Sequence, residues 1–396
     1  MNAELLAPAG SLECVKTALY FGADAVYLGG PALQLRAESA AFTYEDLETA
    51  AALVHAKGKR LYVTVNCFAR NDEIRALGPY ARRLKAIGAD AVIVSDLGAV
   101  AEIKEKCPEM EIHISTQANA MNYRTVQVYK ALGASRVVLA REMTLAQIEE
   151  LRGLIGPDME LETFVHGAMC MAYSGRCLLS SFLANRSGNR GECAQPCRWN
   201  YYLVEEKRRN MFLPVVEEDG ATAVLSSADL KCISFLDRLE AAGVCSFKIE
   251  GRMKSPFYVA TVVNAYRRYM DGASPLALCE AELETASHRP YTTGFYFGEA
   301  KTDPNNDGRY RRTCDFIGAV LGDLGGGEYL VEMRNRFSVG DTLEVLSPHS
   351  MGLSFPVEKI VGETGEEKAT ADLVQEHVRV LCPYPLAPGD LLRKRL

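Results

Sequence analysis

What this chain has little of narrows it first. Within 396 residues no apolar run approaches the roughly 20 residues needed to cross a bilayer. The opening Met1-Asn-Ala-Glu-Leu-Leu-Ala-Pro-Ala-Gly10 lacks a basic n-region, so no signal peptide is expected and a cytoplasmic, reducing location follows. An excess of positive charge is missing too. With 44 Lys and Arg against 51 Asp and Glu the net charge is −7, which argues against broad non-specific binding to nucleic acid. Local basic clusters remain, among them Arg186, Arg190 and Arg198, Lys207-Arg208-Arg209, Arg309 with Arg311-Arg312, and Arg393-Lys394-Arg395. Histidines number six, and neither His-Glu-x-x-His nor Gly-x-Ser-x-Gly occurs, so the familiar hydrolase machinery is absent.

What is there begins with a repeat. Short apolar runs at Glu4–Ala7, Ala25–Leu28, Leu61–Val65, Ala91–Val94, Ile112–Ser115, Val137–Ala140, Leu161–Val165 and Ser246–Ile249 alternate with helix-period stretches. Thr43 with Asp46 resembles a capping box. Gly22, Gly88, Gly133 and Gly243 each close a helix before the next strand, where glycine takes the left-handed conformation. Eight strands with helical connections predict an α/β fold, a (β/α)8 TIM-like barrel, with a doubly wound open sheet as the rival. The barrel domain is expected over 1–279 with a Cys-rich insertion at about 166–228 that contains a hairpin (Tyr201–Glu206, Phe212–Val216). A linker at 280–312 and a small antiparallel β-barrel at 313–396 follow, the last from alternating runs at Phe316–Val320, Tyr329–Met333, Asp341–Leu346, Val357–Ile360 and Glu376–Leu381.

In a barrel of this kind chemistry collects at the C-terminal ends of the strands. Those ends carry Pro8-Ala9-Gly10, Gly29-Gly30, Asn66, Ser95-Asp96, Thr116-Gln117, Arg141-Glu142, His166 and Glu250-Gly251-Arg252. Such a polar rim suits an anionic small molecule, because guanidinium groups grip carboxylates through two parallel hydrogen bonds. The competing reading is that Arg141 with Glu142, and Glu250 with Arg252, satisfy one another as rim ion pairs.

Twelve cysteines in a reducing location are thiols or metal ligands rather than a disulfide framework. Cys170, Cys177, Cys193 and Cys197 stand out, spaced C-x6-C-x15-C-x3-C in a segment rich in Gly, Ser, Asn and Arg. Polar, glycine-punctuated loops are poor places for core packing, so these four are candidates for a soft metal centre, an iron–sulfur cluster or zinc. Zinc ligands commonly come as two close pairs, and only Cys193 and Cys197 are spaced that way. Cys232 competes as a fourth ligand. A Cys170–His166 nucleophilic dyad is conceivable, but nothing marks a third orienting residue.

The phrase Glu162-x-Phe164-x-His166-Gly167-Ala168-Met-Cys170, continued by Ser174-Gly175-Arg-Cys177-Leu-Leu-Ser180, closely resembles the signature of the collagenase-like peptidase family U32. So do Leu5-Leu-Ala-Pro-Ala-Gly-Ser-Leu-Glu13, Tyr62-Val-Thr-Val-Asn66 and Ser246-Phe-Lys-Ile-Glu-Gly-Arg252. Arg289-Pro-Tyr-Thr-Thr-Gly-Phe295 with the trailing β domain is most similar to the branch of prephenate-dependent tRNA hydroxylases. The resemblance implies hydroxylation of the wobble uridine in the tRNA anticodon loop to 5-hydroxyuridine, with prephenate as co-substrate. It implies a 4Fe-4S cluster on Cys170, Cys177, Cys193 and Cys197, with Cys232 kept as the alternative fourth ligand. His166, Arg141, Arg252 and Glu250 are then the catalytic candidates, and Tyr173 and Trp199 are candidates to stack the base. The alternatives are a peptidase, a hydroxylase of rRNA or of another small molecule, and a non-catalytic partner of a paralogue. A homo-oligomer or a complex with such a paralogue is expected, and no membrane.

Overall fold

The computed structural model describes residues 1–34, 41–170, 177–184, 186–188, 191–196, 228–298 and 310–396, together with the backbone of four two-residue strands between 203 and 222. Strands β1 (Glu4–Pro8), β2 (Ala25–Gly29), β3 (Arg60–Val65), β4 (Ala91–Val94), β5 (Glu111–Ile114), β6 (Arg136–Val138) and β7 (Glu160–Ala168) run parallel in chain order. After β7 come β8 (Leu203–Val204) and β9 (Phe212–Leu213), antiparallel partners at the expected hairpin, then β10 (Glu217–Glu218) with β11 (Ala221–Thr222). β12 (Asp229–Lys231) precedes β13 (Ser246–Ile249), which pairs with both β1 and β7 and so closes the ring. The expected eight-stranded barrel therefore forms, and the open sheet does not.

Local chemistry explains the alternation. Apolar residues of β1 to β4 such as Leu5, Leu6, Val26, Leu28, Leu61 and Val92 are buried, and each buried side chain of this size contributes about 1.5–3 kcal/mol. Helix α1 (Leu12–Tyr20) follows β1, and α2 (Tyr44–His55) opens with the Thr43–Asp46 capping box. Next come α3 (Asn71–Ile87), α4 (Leu97–Lys106), α5 (Tyr123–Ala131) and α6 (Leu145–Ile155). The four closing glycines adopt φ of +96° (Gly22), +106° (Gly88), +92° (Gly133) and +85° (Gly243), a region other residues enter with strain.

β7 runs on from the expected Val165 to Ala168, and its two halves have different neighbours. On one edge Glu160 to Glu162 pair with β6 and His166 to Ala168 pair antiparallel with β12, which pairs in turn with β14 (Tyr291–Thr292); on the other, residues from Glu162 to His166 pair with β13. The short helices α7 (Leu179–Ala184) and α8 (Leu236–Ala241) flank this excursion. Among the described residues no helix is long and apolar enough to cross a membrane.

The compact units do not follow the division expected from sequence. Met1–Leu19, Ala23–Lys254 and His288–Tyr310 form one; Tyr20–Gly22, Ser255–Ser287 and Arg311–Leu396 form the other. Helices α9 (Pro256–Met270) and α10 (Leu276–Leu283) thus group with the C-terminal sheet, through the Phe257–Phe316 ring stack and a hydrogen bond from Asn264 to the Ser347 carbonyl. Strands β15 (Cys314–Gly325), β16 (Glu328–Met333), β17 (Phe337–Ser338), β18 (Thr342–Leu346), β19 (Leu353–Pro356), β20 (Ile360–Gly362), β21 (Glu367–Lys368), β22 (Thr370–Ala371), β23 (His377–Leu381) and β24 (Leu391–Arg395) follow. Eight of them form a curled antiparallel sheet ordered β19-β18-β24-β15-β16-β23-β20-β21, a half-barrel around Ile317, Val331, Leu343, Phe355 and Val378. The expected strand Val357–Ile360 falls between β19 and β20.

The basic run Arg393-Lys394-Arg395 is part of β24, and its charges are paired within the protein. Arg393 is 2% exposed and donates to Glu344 at 2.9 Å, Glu282 at 3.0 Å and Thr285 at 2.8 Å. Lys394 pairs with Asp341 at 2.7 Å, and Arg395 pairs with Glu344. These charges hold the sheet to α10 and to its own neighbouring strand.

Candidate active site at the barrel mouth

The barrel interior is layered by charge. At the lower level Arg136, on β6, donates to Glu4 of β1 at 2.6 Å and to Glu160 and Glu162 of β7 at 2.7 and 3.0 Å. Tyr62 and His113 fill the space beside it, with ring centroids 4.7 Å apart. Glu162 also accepts from Ser246 at 3.2 Å and from Lys248 at 2.8 Å. Burial alone would raise the Glu162 carboxyl, but the charges of Lys248 and Arg136 outweigh it and hold it at about 2. The floor is therefore solid and ionic rather than an apolar plug.

Above this floor lies a cavity of about 520 Å³, part of it open to solvent, at the C-terminal ends of the strands. Its lining includes Asn66, Gln117, Arg141, Glu250 and Arg252 from the expected rim, with Lys248, Tyr27, Thr64 and Phe164 deeper. Arg141 donates to Glu250 at 3.1 Å and to the Ala168 carbonyl at 2.8 Å, and its guanidinium lies 4.0 Å from the centre of the Phe164 ring. Arg252 donates to Thr64 at 2.5 Å and to Gln34. It sits in a cradle only glycine permits. A Cβ at Gly10 would come within 2.0 Å of the Arg252 carbonyl oxygen, and one at Gly29 within 2.9 Å of its Nη2.

The lining brings together three cations (Arg141, Lys248, Arg252) and one carboxylate, Glu250. Asn66 Oδ1, Gln117 Oε1 and Arg141 Nε are buried without hydrogen-bond partners among the described residues. Buried polar atoms left unmatched in a cavity mark where a ligand completes the bonding. The arrangement suits a small anion that also carries donors.

His166 is not among the described residues that line this cavity. Its ring lies 5.5 Å from that of Tyr291, which in turn stacks on His288 at 4.1 Å. Burial, aided by His288, Lys231 and Lys254, pushes its imidazole down to about 3. Its carbonyl accepts the Glu250 N–H at 2.8 Å, so it positions Glu250 through the main chain. Lys248 was missed in the sequence; a lysine inside an otherwise buried strand was the available signal.

The cysteines divide by exposure. Cys170 and Cys193 are exposed and Cys177 is half-buried, whereas Cys14, Cys67, Cys107, Cys232, Cys279, Cys314 and Cys382 are buried. Cys170 lies two residues past the end of β7, and the Ala194 N–H donates to the Ser180 hydroxyl at 2.9 Å, tying the chain beside Cys193 to α7. Accessible thiols on polar coil fit a soft metal centre; the buried ones pack as small hydrophobes. Burial raises the Cys232 thiol well above its ordinary value. Cys197, Tyr173, Trp199, Arg190 and Arg198 lie outside the described residues.

Comparison with known proteins agrees with this layout. Residues 10–306 match the model of peptidase family U32, and residues 312–393 match that of the peptidase family U32 C-terminal domain. The chain is similar to the tRNA hydroxylation protein P of Escherichia coli, 36% identical with 98% of this chain and 92% of that one covered. It is similar to the tRNA hydroxylation protein P1 of Bacillus subtilis, 37% identical with 99% and 94% covered. The collagenase of Porphyromonas gingivalis is 33% identical, with 98% and 97% covered. By matches that run through both the barrel and the curled sheet, the chain belongs to peptidase family U32.

Proposed function

We propose that this protein is a tRNA-modifying enzyme that hydroxylates the wobble uridine to 5-hydroxyuridine, with prephenate as co-substrate. The observation that carries this reading is the pocket lining, with its three cations, one carboxylate and unmatched amide and guanidinium atoms. Prephenate is a dicarboxylate, and paired guanidinium groups recognise carboxylates better than any other side chain. The two relatives named for tRNA hydroxylation, at 36% and 37% identity over nearly the whole chain, support the RNA substrate.

In this proposal Arg252, fixed by Thr64 and its glycine cradle, holds one carboxylate. Arg141 exchanges its bond with Glu250 for a bond with the ligand. Glu250 is thereby released next to the bound acid, where it accepts or returns a proton. Asn66 and Gln117 offer carbonyl oxygens to ligand hydroxyl groups. A wobble base reaches such a mouth readily, because an anticodon loop is single-stranded and its bases unstack at small cost. Replacing C–H by C–OH is an oxidation, and a 4Fe-4S cluster on Cys170, Cys177, Cys193 and Cys197 supplies electron-transfer chemistry when bound.

The peptidase reading has the collagenase relative in its favour but no machinery in the pocket. Among the described residues the lining holds neither histidine nor cysteine to activate a nucleophile. Nucleoside mass spectrometry of tRNA decides between them. A strain lacking this protein and any paralogue should lose 5-hydroxyuridine, regain it with the wild-type gene and not with Arg252→Ala. Unchanged 5-hydroxyuridine in the deletion strain, with gelatin cleaved by the pure protein, would overturn the proposal.

A further inference from the structure

We propose that Lys248 is a third ligand-binding cation, set near the pocket floor to receive the second anionic group of the small acid. The inference rests on the reading of this pocket as the site of a dicarboxylic acid. Lys248 is 4% exposed, yet it lines the cavity. It lies within β13, while Arg252 lies beyond the end of that strand, so the two cations stand at different depths of one barrel.

An ammonium group has three N–H donors. Among the described residues the recorded hydrogen-bond acceptor of Lys248 is Glu162, at 2.8 Å. The other neighbours of its Nζ are the faces of Tyr27 and Phe164, 4.4 and 5.6 Å from the ring centroids. Aromatic faces attract a cation without matching the directional bond of an oxygen acceptor. Donor capacity therefore remains for an oxygen in the cavity. Glu162 cannot follow the ammonium upward, because Arg136 and Ser246 hold its other oxygen at 3.0 and 3.2 Å. The lysine is anchored from below and open from above. With Arg141 and Arg252 at the mouth, a ligand with two separated carboxylates meets a cation at each end, and a monocarboxylate meets one.

Removing Lys248 leaves Glu162 with Arg136, so Lys248→Met strands no carboxylate. Calorimetry on the full chain would compare prephenate with the monocarboxylate phenylpyruvate. The wild type should prefer prephenate by roughly tenfold or more, the usual effect of one charge-assisted hydrogen bond. Lys248→Met should lose most of that preference, keeping only what the ring hydroxyl of prephenate contributes, while Lys248→Arg keeps most of it. An unchanged preference in Lys248→Met overturns the assignment. So does a wild type that binds both acids equally, in which case the pocket reading stands without Lys248. A wild type that binds neither acid ends the pocket reading and this inference together. Should Lys248→Met not fold, acylation of Lys248 in the wild type, followed by peptide mass spectrometry, replaces it. Prephenate should slow that acylation and phenylpyruvate should not; equal slowing by both, or none by either, overturns the assignment.

Discussion

At the level of single side chains, Cys232 is buried beside β7 while Cys170 and Cys193 face solvent, and on the proposed reading the accessible thiols are the ones that hold the cluster. Cys170→Ala, Cys177→Ala and Cys193→Ala should each lose most of the bound iron and its broad visible absorption after anaerobic purification. Cys232→Ala should keep the iron and melt at a lower temperature, having lost only packing; iron loss in that variant would make Cys232 a ligand. Gly29→Ala should weaken binding of the acid, though less than Arg252→Ala does, since a Cβ there crowds the Gln34 side chain and the Arg252 guanidinium; calorimetry showing wild-type affinity would refute the cradle. His166 makes a pH prediction. Folded, it stays neutral down to about 3, whereas in the unfolded chain it takes up a proton below its ordinary value of 6.5. Its contribution is therefore full above 6.5 and is lost as pH falls from there towards 3. His166→Gln should flatten the fall of Tm across that window, and an unaltered slope would discard the argument. Arg141, Arg252 and Glu250 were legible because they end strands, where a barrel gathers its chemistry. Lys248 was not, because a sequence does not say whether a lone cation inside a strand faces a cavity or a counter-charge. The surroundings of His166 were not legible for a related reason: β12 joins β7 at that residue, and this pairing is not written in the local sequence.

Among the elements, the barrel strands were readable from their Val, Ile and Leu runs and from the glycines that stop the helices. β12 and β14 were not, since two or three residues carry no period. They matter nonetheless, because they extend the sheet beyond the ring where the cysteine excursion leaves and returns. Their joint is ionic. Asp229 of β12 bonds Arg289, just before β14, at 2.8 and 2.9 Å with both side chains buried. Breaking such a pair from one side leaves a buried charge and costs about 3–5 kcal/mol. Asp229→Ala should therefore move the urea midpoint down by a corresponding amount, and an unmoved midpoint would show that the pair carries no stability. β24 was hidden for a third reason: Arg-Lys-Arg reads as a solvated patch until Glu282, Glu344 and Asp341 are seen to meet it.

For the molecule as a whole, the division into units makes a prediction that sequence boundaries do not. A C-terminal fragment cut at 311 loses the Glu282 and Thr285 partners of Arg393 and the Phe257–Phe316 stack. A fragment of residues 255–396 keeps all of them. The longer fragment should melt several degrees higher by calorimetry; equal melting temperatures would place α9 and α10 outside that unit. The solid floor of the other unit has a different consequence. Arg136 reaches from β6 to β1 and β7, and Tyr62 and His113 pack together in the same lower part of the barrel. A pocket that opens at the strand ends imposes an itinerary. On the reading proposed, the small acid has to enter before the RNA covers the door, and its spent form is trapped until the RNA departs.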